Sequence, residues 1–119
     1  MLPKSEAMTD DLFEIIDRMD APGFASRFAQ DGRFRFANMP QICGRGCVQE
    51  FVAGFFSSIA GLSHTVRRSW DTADGVVCHG DVTYTRKDGS TLTVPFAVIY
   101  TADDDGIRDY RIFMDASAL

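Results

Sequence analysis

The period of the hydrophobic residues changes once along this chain, near Gly61, and that change constrains the fold more than any other feature. Before Gly61 the apolar residues recur mostly every three to four positions, as in amphipathic helices. After Gly61 they fall in four long segments that are joined by short polar turns, as in strands. Helices followed by strands are typical of the α+β class. We therefore predict a single α+β domain over residues 1–119.

Three helices and one short strand are predicted in the first half. We expect Thr9 to cap the first helix, which runs on to about Met19. A short second helix starts near Pro22 and carries Phe24 and Phe28 four positions apart. After a short strand at 33–36, the clearest helix follows residues 44–46, with an apolar stripe from 48 to 59, and is expected to end at Gly61.

The second half is predicted to be a meander of four long strands, at 62–71, 76–86, 91–100 and 107–115. The run from Lys87 to Ser90 is typical of a hairpin turn because it places Asp-Gly between two strand-like segments. A long twisted sheet with helices on one face would curl around them. The mouth of such a cone is a natural ligand cavity.

Composition and charge exclude several classes of function. The net charge is −5 with no basic patch, which argues against a nucleic-acid partner. No apolar stretch approaches the roughly 18 residues that cross a bilayer, and the first ten residues lack the apolar region of a signal peptide. We therefore expect no membrane partner and a cytoplasmic protein.

The three cysteines do not indicate a disulfide or a metal site. Their number is odd, and Cys43 and Cys47 have no third or fourth ligand near them. We expect no metal, and we expect Cys47 and Cys78 to be small buried side chains.

The order of elements resembles the nuclear transport factor 2-like superfamily, which includes SnoaL-like polyketide cyclases, ketosteroid isomerase, scytalone dehydratase and limonene epoxide hydrolase. The resemblance covers nearly the whole chain. The segments that carry it are Phe28–Gly32, Ile42–Phe56, Lys87–Phe96 and Tyr110–Asp115. It implies a cone-shaped α+β barrel, with three N-terminal helices packed on a curved, mainly antiparallel sheet.

The resemblance also implies which side chains face the cavity. On the last three strands these are His79, Asp81 and Thr83; Val94, Phe96, Val98 and Tyr100; and Arg111, Phe113 and Asp115. Tyr110, Ile112 and Met114 would then form an apolar outer face, which favours a homodimer through the outside of the sheet. The alternation alone places His79, Asp81 and Thr83 in water instead, because the polar face of an antiparallel sheet is usually the wet one.

Two activities of the superfamily are poorly matched. The positions that correspond to the functional groups of ketosteroid isomerase hold Leu12, Asn38 and Val98, which lack those groups. The Asp-Arg-Asp arrangement of limonene epoxide hydrolase retains only Asp115, since Asp81 and Thr83 stand where its Arg-x-Asp would be.

The dehydratases fit better, because they pair an Asp on the first helix with a His on the first long strand. The resemblance places Asp17 and His64 at these positions. A His held by a carboxylate is an effective general acid–base near neutral pH. Three further residues would line the same cavity. The resemblance implies that Asp81 is a second acid–base, that Arg111 is an anchor for a carboxylate or carbonyl group, and that Asp115 is a further acid. The predicted binding residues are Leu12, Ile16, Asn38, Phe55, His79, Thr83, Phe96, Val98, Tyr100 and Phe113.

Three functions remain open at this point. The first is cofactor-independent acid–base catalysis on a small hydrophobic or polyketide-like molecule, with a His64 nitrogen within hydrogen-bond reach of Asp17. The second is a non-catalytic module that binds such a molecule. The third is a protein-interaction role, which requires a cone filled by Phe55, Phe96 and Phe113. Asp115 and Arg111 could also form a purely structural ion pair.

Overall fold

A computed structural model describes residues 4–119, with side chains from Met8 onward. It confirms the α+β class. The elements in chain order are α1 (Lys4–Asp17), α2 (Ala21–Ala25), β1 (Phe28–Phe36), β2 (Ile42–Cys43), α3 (Arg45–Ser57), β3 (Gly61–Asp71), β4 (Gly75–Thr85), β5 (Thr91–Asp103) and β6 (Gly106–Phe113). Within residues 4–119, no helix has the length and apolar character needed to span a bilayer.

The six strands form one sheet in the order β2-β1-β6-β5-β4-β3. The predicted meander is present, because β3 to β6 pair in succession as antiparallel neighbours. The pairing of β1 with β6 is parallel, and it brings the first strand of the chain beside the last. The sheet is curved but not closed, so the helices lie in a cone that is open at its two edge strands.

Helix α1 begins well before the predicted cap. Thr9 lies within the helix, is buried, and shares a hydrogen bond of 2.7 Å with the Tyr100 hydroxyl. The capping prediction is therefore wrong. Thr9 lies three and four residues before Leu12 and Phe13, so it belongs to the same buried face of the helix. Its hydroxyl finds a partner across the core instead of at a helix end.

Helix α2 is shorter than predicted. Asp20 caps it by accepting a hydrogen bond of 3.0 Å from the Gly23 amide, and the helix ends at Ala25. Phe28 begins strand β1, although its ring still meets that of Phe24 edge-on at 5.2 Å. The pairing with β6 lengthens this strand beyond the four residues whose alternation predicted it.

Helix α3 packs its Val48, Val52 and Phe56 side against the interior. It ends at Ser57, four residues before the predicted stop, and Gly61 is the first residue of β3. Phe51 and Phe55 are only partly buried and contact Phe36 of β1 at ring distances of 6.3 and 5.0 Å. This aromatic contact lies on the wall of the cone, where a ligand site would open.

The long strands bury their more apolar face. On β4 the buried positions are Val76, Cys78, Gly80, Val82 and Tyr84, and their neighbours in the chain are more exposed. Gly80 lies beside an irregularity in the β3–β4 pairing, and a Cβ there would come within 1.9 Å of the Thr65 carbonyl oxygen. Only glycine allows β3 to approach so closely at this point.

The three cysteines differ sharply in accessibility. Cys43 and Cys47 are exposed, so the expectation of a buried Cys47 is wrong. Cys78 is fully buried, as expected, and burial raises the pKa of its thiol to about 11. Cys47 lies on the solvent side of α3, since Val48 takes the inward position next to it.

We therefore predict that two thiols react rapidly with a disulfide reagent in the native protein and that the third reacts only after unfolding. Reaction needs an accessible thiolate, and Cys78 has neither the access nor the ionisation. Absorbance titration with and without denaturant measures this, and Cys47→Ser is the control that should remove one rapid equivalent. Three rapid equivalents in the wild type would contradict the buried position of Cys78.

Candidate active site

The interior of the cone contains a hydrogen-bonded Asp–His pair. The Nδ1 atom of His64, on β3, lies 2.7 Å from Oδ1 of Asp17, at the end of α1. The second carboxylate oxygen accepts a hydrogen bond of 3.1 Å from the backbone amide of His64. The expected contact between these residues, 47 positions apart in the chain, is confirmed. Two donors of one residue thus fix the orientation of the Asp17 carboxylate.

The His64 ring is held by aromatic packing as well as by Asp17. It lies 4.7 Å from the Phe13 ring and meets Phe96 edge-on at 5.1 Å. The His64 side chain is 10% exposed, and that of Asp17 is 29% exposed. Because an ionised carboxylate only accepts hydrogen bonds, the Asp17 contact assigns the ring proton to Nδ1. The lone pair of Nε2 is then available to a molecule in the cavity.

His64 belongs to the wall of an apolar cavity, and Asp17 lies behind it. The cavity measures about 50 Å³. Space of this size holds a few water molecules, whereas ligand sites commonly measure about 300–1,000 Å³. The cone is therefore neither solid nor wide open in this structure. Phe55 and Phe96 occupy part of the interior, while Phe113 lies outside it.

A larger groove of about 940 Å³ lies at the mouth of the cone. Four side chains contribute to the walls of both the groove and the cavity: Phe36, Phe51, Phe55 and Met114. Met114 and the partly buried aromatic rings thus separate the two spaces. A ligand larger than the cavity of about 50 Å³ fits beside His64 only if these side chains move aside.

Two tyrosines add hydroxyl groups to the same cavity wall, and both were missed in the sequence. Burial raises the pKa of Tyr84 to about 12 and raises that of Tyr110 well above its usual value. Both phenols therefore stay protonated near neutral pH and can donate hydrogen bonds. The Tyr84 hydroxyl donates to the Met114 sulfur at 3.5 Å, which is a weak acceptor.

The predicted binding residues are only partly brought together. Ile16, Phe55, Phe96 and Val98 lie on the cavity wall, and Asn38 lies in the groove at the mouth. Leu12 and Tyr100 are buried, but they belong to the packed core and not to the cavity wall. Val94 packs against the core and is partly buried.

The inward orientation implied by the resemblance is wrong for β4. His79 is exposed and stacks on Trp70 at 5.6 Å, and Thr83 shares a hydrogen bond of 2.8 Å with Thr93 on the outer face. Asp81 pairs there with Arg67, with an oxygen-to-nitrogen distance of 2.7 Å. The alternation of polar and apolar residues predicted this outward orientation correctly.

The implied orientation is also wrong for β6. Tyr110, Ile112 and Met114 line the cavity, so they cannot form an outer dimer face. Arg111 and Phe113 are exposed on the outer face. This reversal removes Arg111 and Phe113 from the cavity wall.

Asp115 is also exposed, and it lies beyond the end of β6. Its carboxylate accepts a hydrogen bond of 3.0 Å from the Ser117 amide. Hydrogen bonding by the Ser117 side chain, and to a smaller extent by this amide, lowers the pKa of Asp115. Arg111 instead lies 3.6 Å from Asp109, so the ion pair considered between Arg111 and Asp115 does not form. None of the three predicted catalytic partners, Asp81, Arg111 and Asp115, therefore lies beside His64.

The missed tyrosines had a signal in the sequence. Tyr84 lies in the same alternating phase as Val76, Cys78 and Val82, and Tyr110 lies in phase with Ile112. The apolar phase of each strand therefore contained one phenol. Within the described residues, no group of three or more His, Cys, Asp or Glu side chains is placed to hold a metal ion.

The SnoaL-like domain family matches residues 9–110, which is most of the chain. The chain belongs to this family. The matched range includes His64, Asp17 and the two cavity tyrosines. No curated protein sequence matches this SnoaL-like chain.

Solved structures share the fold at low identity. An NTF2-like protein of unknown function from Burkholderia pseudomallei superposes with a TM-score of 0.86 at 16% identity, covering 98% of this chain and 95% of the other. TerC, co-crystallised with polyporic acid, superposes with a TM-score of 0.82 at 19% identity, and the match covers 96% of this chain and 93% of TerC. A candidate SnoaL-like polyketide cyclase from a Jannaschia species superposes with a TM-score of 0.76 at 18% identity, and the match covers 99% of this chain and 92% of the other. Likeness at this level shows the nuclear transport factor 2-like architecture.

Proposed function

We propose that this SnoaL-like protein is an acid–base enzyme that moves a proton on a small hydrophobic carbonyl compound. The observation that carries the proposal is the 2.7 Å hydrogen bond between Asp17 and His64, with His64 on the wall of an apolar cavity. A base in such a site needs a fixed tautomer and a shielded position, and the Asp17 contact and the flanking rings supply both.

The proposed step is the transfer of a carbon-bound proton. The Nε2 lone pair of His64 accepts the proton from a carbon next to the carbonyl, and the electron pair of the broken C–H bond forms the enolate. The carboxylate of Asp17 stabilises the imidazolium through Nδ1–H. A tyrosine hydroxyl, from Tyr84 or Tyr110, donates a hydrogen bond to the enolate oxygen. His64 then returns the proton to another atom of the substrate, which completes an isomerisation or assists ring closure or loss of a hydroxyl.

The chemistry of the cavity wall supports a substrate whose reacting part, the part inside the cavity, is uncharged and apolar. Apart from His64 and the two phenols, the side chains of the wall are hydrocarbon or thioether. A charged group in such surroundings would lose its hydration without gaining a partner. The similarity to a candidate SnoaL-like polyketide cyclase from a Jannaschia species is consistent with a polyketide-like compound.

A second candidate function is binding without turnover, and one observation favours it. Oδ2 of Asp17 accepts the backbone amide of His64, so the pair also ties the end of α1 to β3. A purely structural Asp–His pair in a binding module would form the same two hydrogen bonds. The two functions differ in whether a bound carbonyl compound exchanges its acidic protons.

The deciding experiment uses 2-tetralone, a bicyclic ketone with acidic C–H bonds next to its carbonyl. We expect the wild-type protein to catalyse replacement of these hydrogens by deuterium in D₂O, with a rate that saturates in 2-tetralone, as followed by proton NMR. Saturable binding of 2-tetralone without faster exchange would identify a binding module. Neither binding nor exchange would overturn both functions for this class of compound.

We also propose a homodimer through the outer face of the sheet, at a patch formed by Trp70 and Val77. These residues are register partners on β3 and β4, at the opposite edge of the sheet from β1, and the Trp70 side chain is 42% exposed. Such a row of large apolar groups on the solvent face is typical of an interface. Light scattering should show a dimer, and Trp70→Glu should give a monomer. Gln49→Glu, on the exposed side of α3, should leave the dimer intact; a monomeric wild type would refute this interface.

A further inference from the structure

Two arginines face each other at one end of the outer sheet surface. Arg35 of β1 and Arg111 of β6 are register partners in the parallel pair, so their side chains leave the sheet on the same face. Like charges placed directly opposite on neighbouring strands destabilise a sheet. A negatively charged group bound between the two guanidinium groups would remove this repulsion.

No carboxylate among the described residues neutralises this pair fully. Among the described residues, Arg35 makes one side-chain hydrogen bond, of 3.1 Å from its Nε to the Met39 carbonyl oxygen. Oδ2 of Asp109 lies 3.6 Å from Nε of Arg111 and 3.8 Å from Nη2 of Arg33, so one carboxylate is shared at long distance. Two guanidinium groups therefore share one carboxylate, and the third, that of Arg35, forms no ion pair with a carboxylate among the described residues.

The arginine pair lies along a groove of about 380 Å³, which also includes Asn38 and the exposed Phe113. Asn38 and Met114 line both this groove and the larger groove at the mouth of the cone. The cationic surface therefore adjoins the entrance to the cavity. Guanidinium groups bind the planar oxygen pairs of carboxylates and phosphates by charge-assisted hydrogen bonds, and the Asn38 amide is a further donor near them.

We propose that Arg35 and Arg111 bind the anionic end, a carboxylate or phosphate, of a ligand whose apolar body lies in the groove at the mouth. This inference rests on the proposed function for the identity of the neighbouring cavity, and it adds a substrate class: amphipathic molecules with an uncharged ring system and one anionic substituent. The arginines act on binding and orientation, while the proton transfer is assigned to His64.

The test compares 2-naphthylacetate with its uncharged analogue 2-naphthylacetamide by fluorescence titration. We expect the wild type to bind the acetate about tenfold more tightly, since a hydrogen bond to a charged group contributes about that much. Arg35→Gln and Arg111→Gln should each reduce this preference toward one and leave binding of the amide unchanged. Arg67→Gln removes a charge that is paired with Asp81 elsewhere on the sheet, so it should keep the preference.

A third probe, 2-naphthyl phosphate, distinguishes the two sources of the anion. Tighter binding of the phosphate than of the acetate identifies phosphorylated ligands, and the reverse identifies carboxylic acids. The proposal is overturned if the wild type binds the acetate and the amide equally, if both arginine variants keep the preference, or if 2-naphthylacetate does not bind at millimolar concentration. Binding preference does not depend on turnover, so a failed 2-tetralone exchange leaves this subsite standing and removes only the proposed chemistry.

Discussion

Replacement of His64 by Ala is expected to lower the rate of 2-tetralone exchange by about 10²- to 10⁴-fold, the usual contribution of a positioned acid–base group. The loss follows from the geometry of the imidazole. Its Nδ1 atom is bonded to Asp17, so Nε2 is the ring nitrogen that can accept a proton from the ligand. Proton NMR in D₂O measures the exchange rate. The chain has two histidines, and the other, His79, is exposed on the outside of the sheet. His79→Ala is therefore the matched control and should exchange 2-tetralone at the wild-type rate.

A second variant separates chemistry from folding. His64→Phe keeps a ring between Phe13 and Phe96, which lie 4.7 and 5.1 Å from the imidazole, but it removes both nitrogens. We expect this variant to unfold cooperatively and to lack the exchange activity. Full activity in His64→Phe would assign the proton transfer to another group and refute the mechanism.

Asp17→Asn should reveal the positioning role of the carboxylate. The amide of Asn can donate to His64, so the ring no longer needs its proton on Nδ1. We expect slower exchange together with a changed ratio of the two ring tautomers, read from the nitrogen NMR shifts of His64. If Asp17 has only a structural role, Asp17→Asn would lower the free energy of unfolding and leave the tautomer ratio of His64 unchanged.

Replacement of Phe28 by Ala is expected to lower the free energy of unfolding by about 3–5 kcal/mol, the usual cost of removing a buried aromatic ring. Phe28 is fully buried at the start of β1. Its ring lies within 5.2–6.3 Å of the rings of Phe24, Phe34 and Tyr110, so four aromatic side chains share one contact region. The truncated side chain would leave a space between α2 and the β1–β6 pair that rigid neighbours cannot fill.

Phe113→Ala is the matched control, because it removes the same group from a position that is 48% exposed. Surface substitutions of this kind usually change the free energy of unfolding by less than about 0.5 kcal/mol. Denaturant titration followed by circular dichroism measures both variants. A loss below about 1 kcal/mol for Phe28→Ala would contradict the packing described around it.

The Asp17–His64 pair shows that a sequence resemblance can predict a contact between residues distant in the chain. The residues are 47 positions apart, and the family pattern predicted their contact, which the hydrogen bonds confirm. The pattern could do so because both residues lie at points that the fold strictly constrains, the end of α1 and the start of β3. The roles of Asp17 and His64 in catalysis remain a prediction.

The same resemblance failed for β4 and β6, and the reason is register. Neighbouring residues of a strand point to opposite faces, so an error of one position moves every side chain to the wrong side. The β3–β4 pairing shifts between Val66 and Arg68, and the β5–β6 pairing shifts between Thr101 and Ala102. Irregularities of this kind cannot be read from one strand alone. On β6 the irregularity changes the phase between Ile107 and Tyr110, which are both buried, so Tyr110 faces inward and Arg111 outward. Strand β4 alternates without interruption, and its own pattern places His79 outside.

The amino-acid sequence by itself determined the class of fold, the approximate limits of the long strands and the apolar face of each helix, because these depend on neighbours within a few positions. Only the tertiary structure decided the phase of β6, the small cavity with Tyr84 and Tyr110 on its wall, and the pairing of Arg35 with Arg111. These features depend on which strands meet and in what register, and such contacts join residues far apart in the chain.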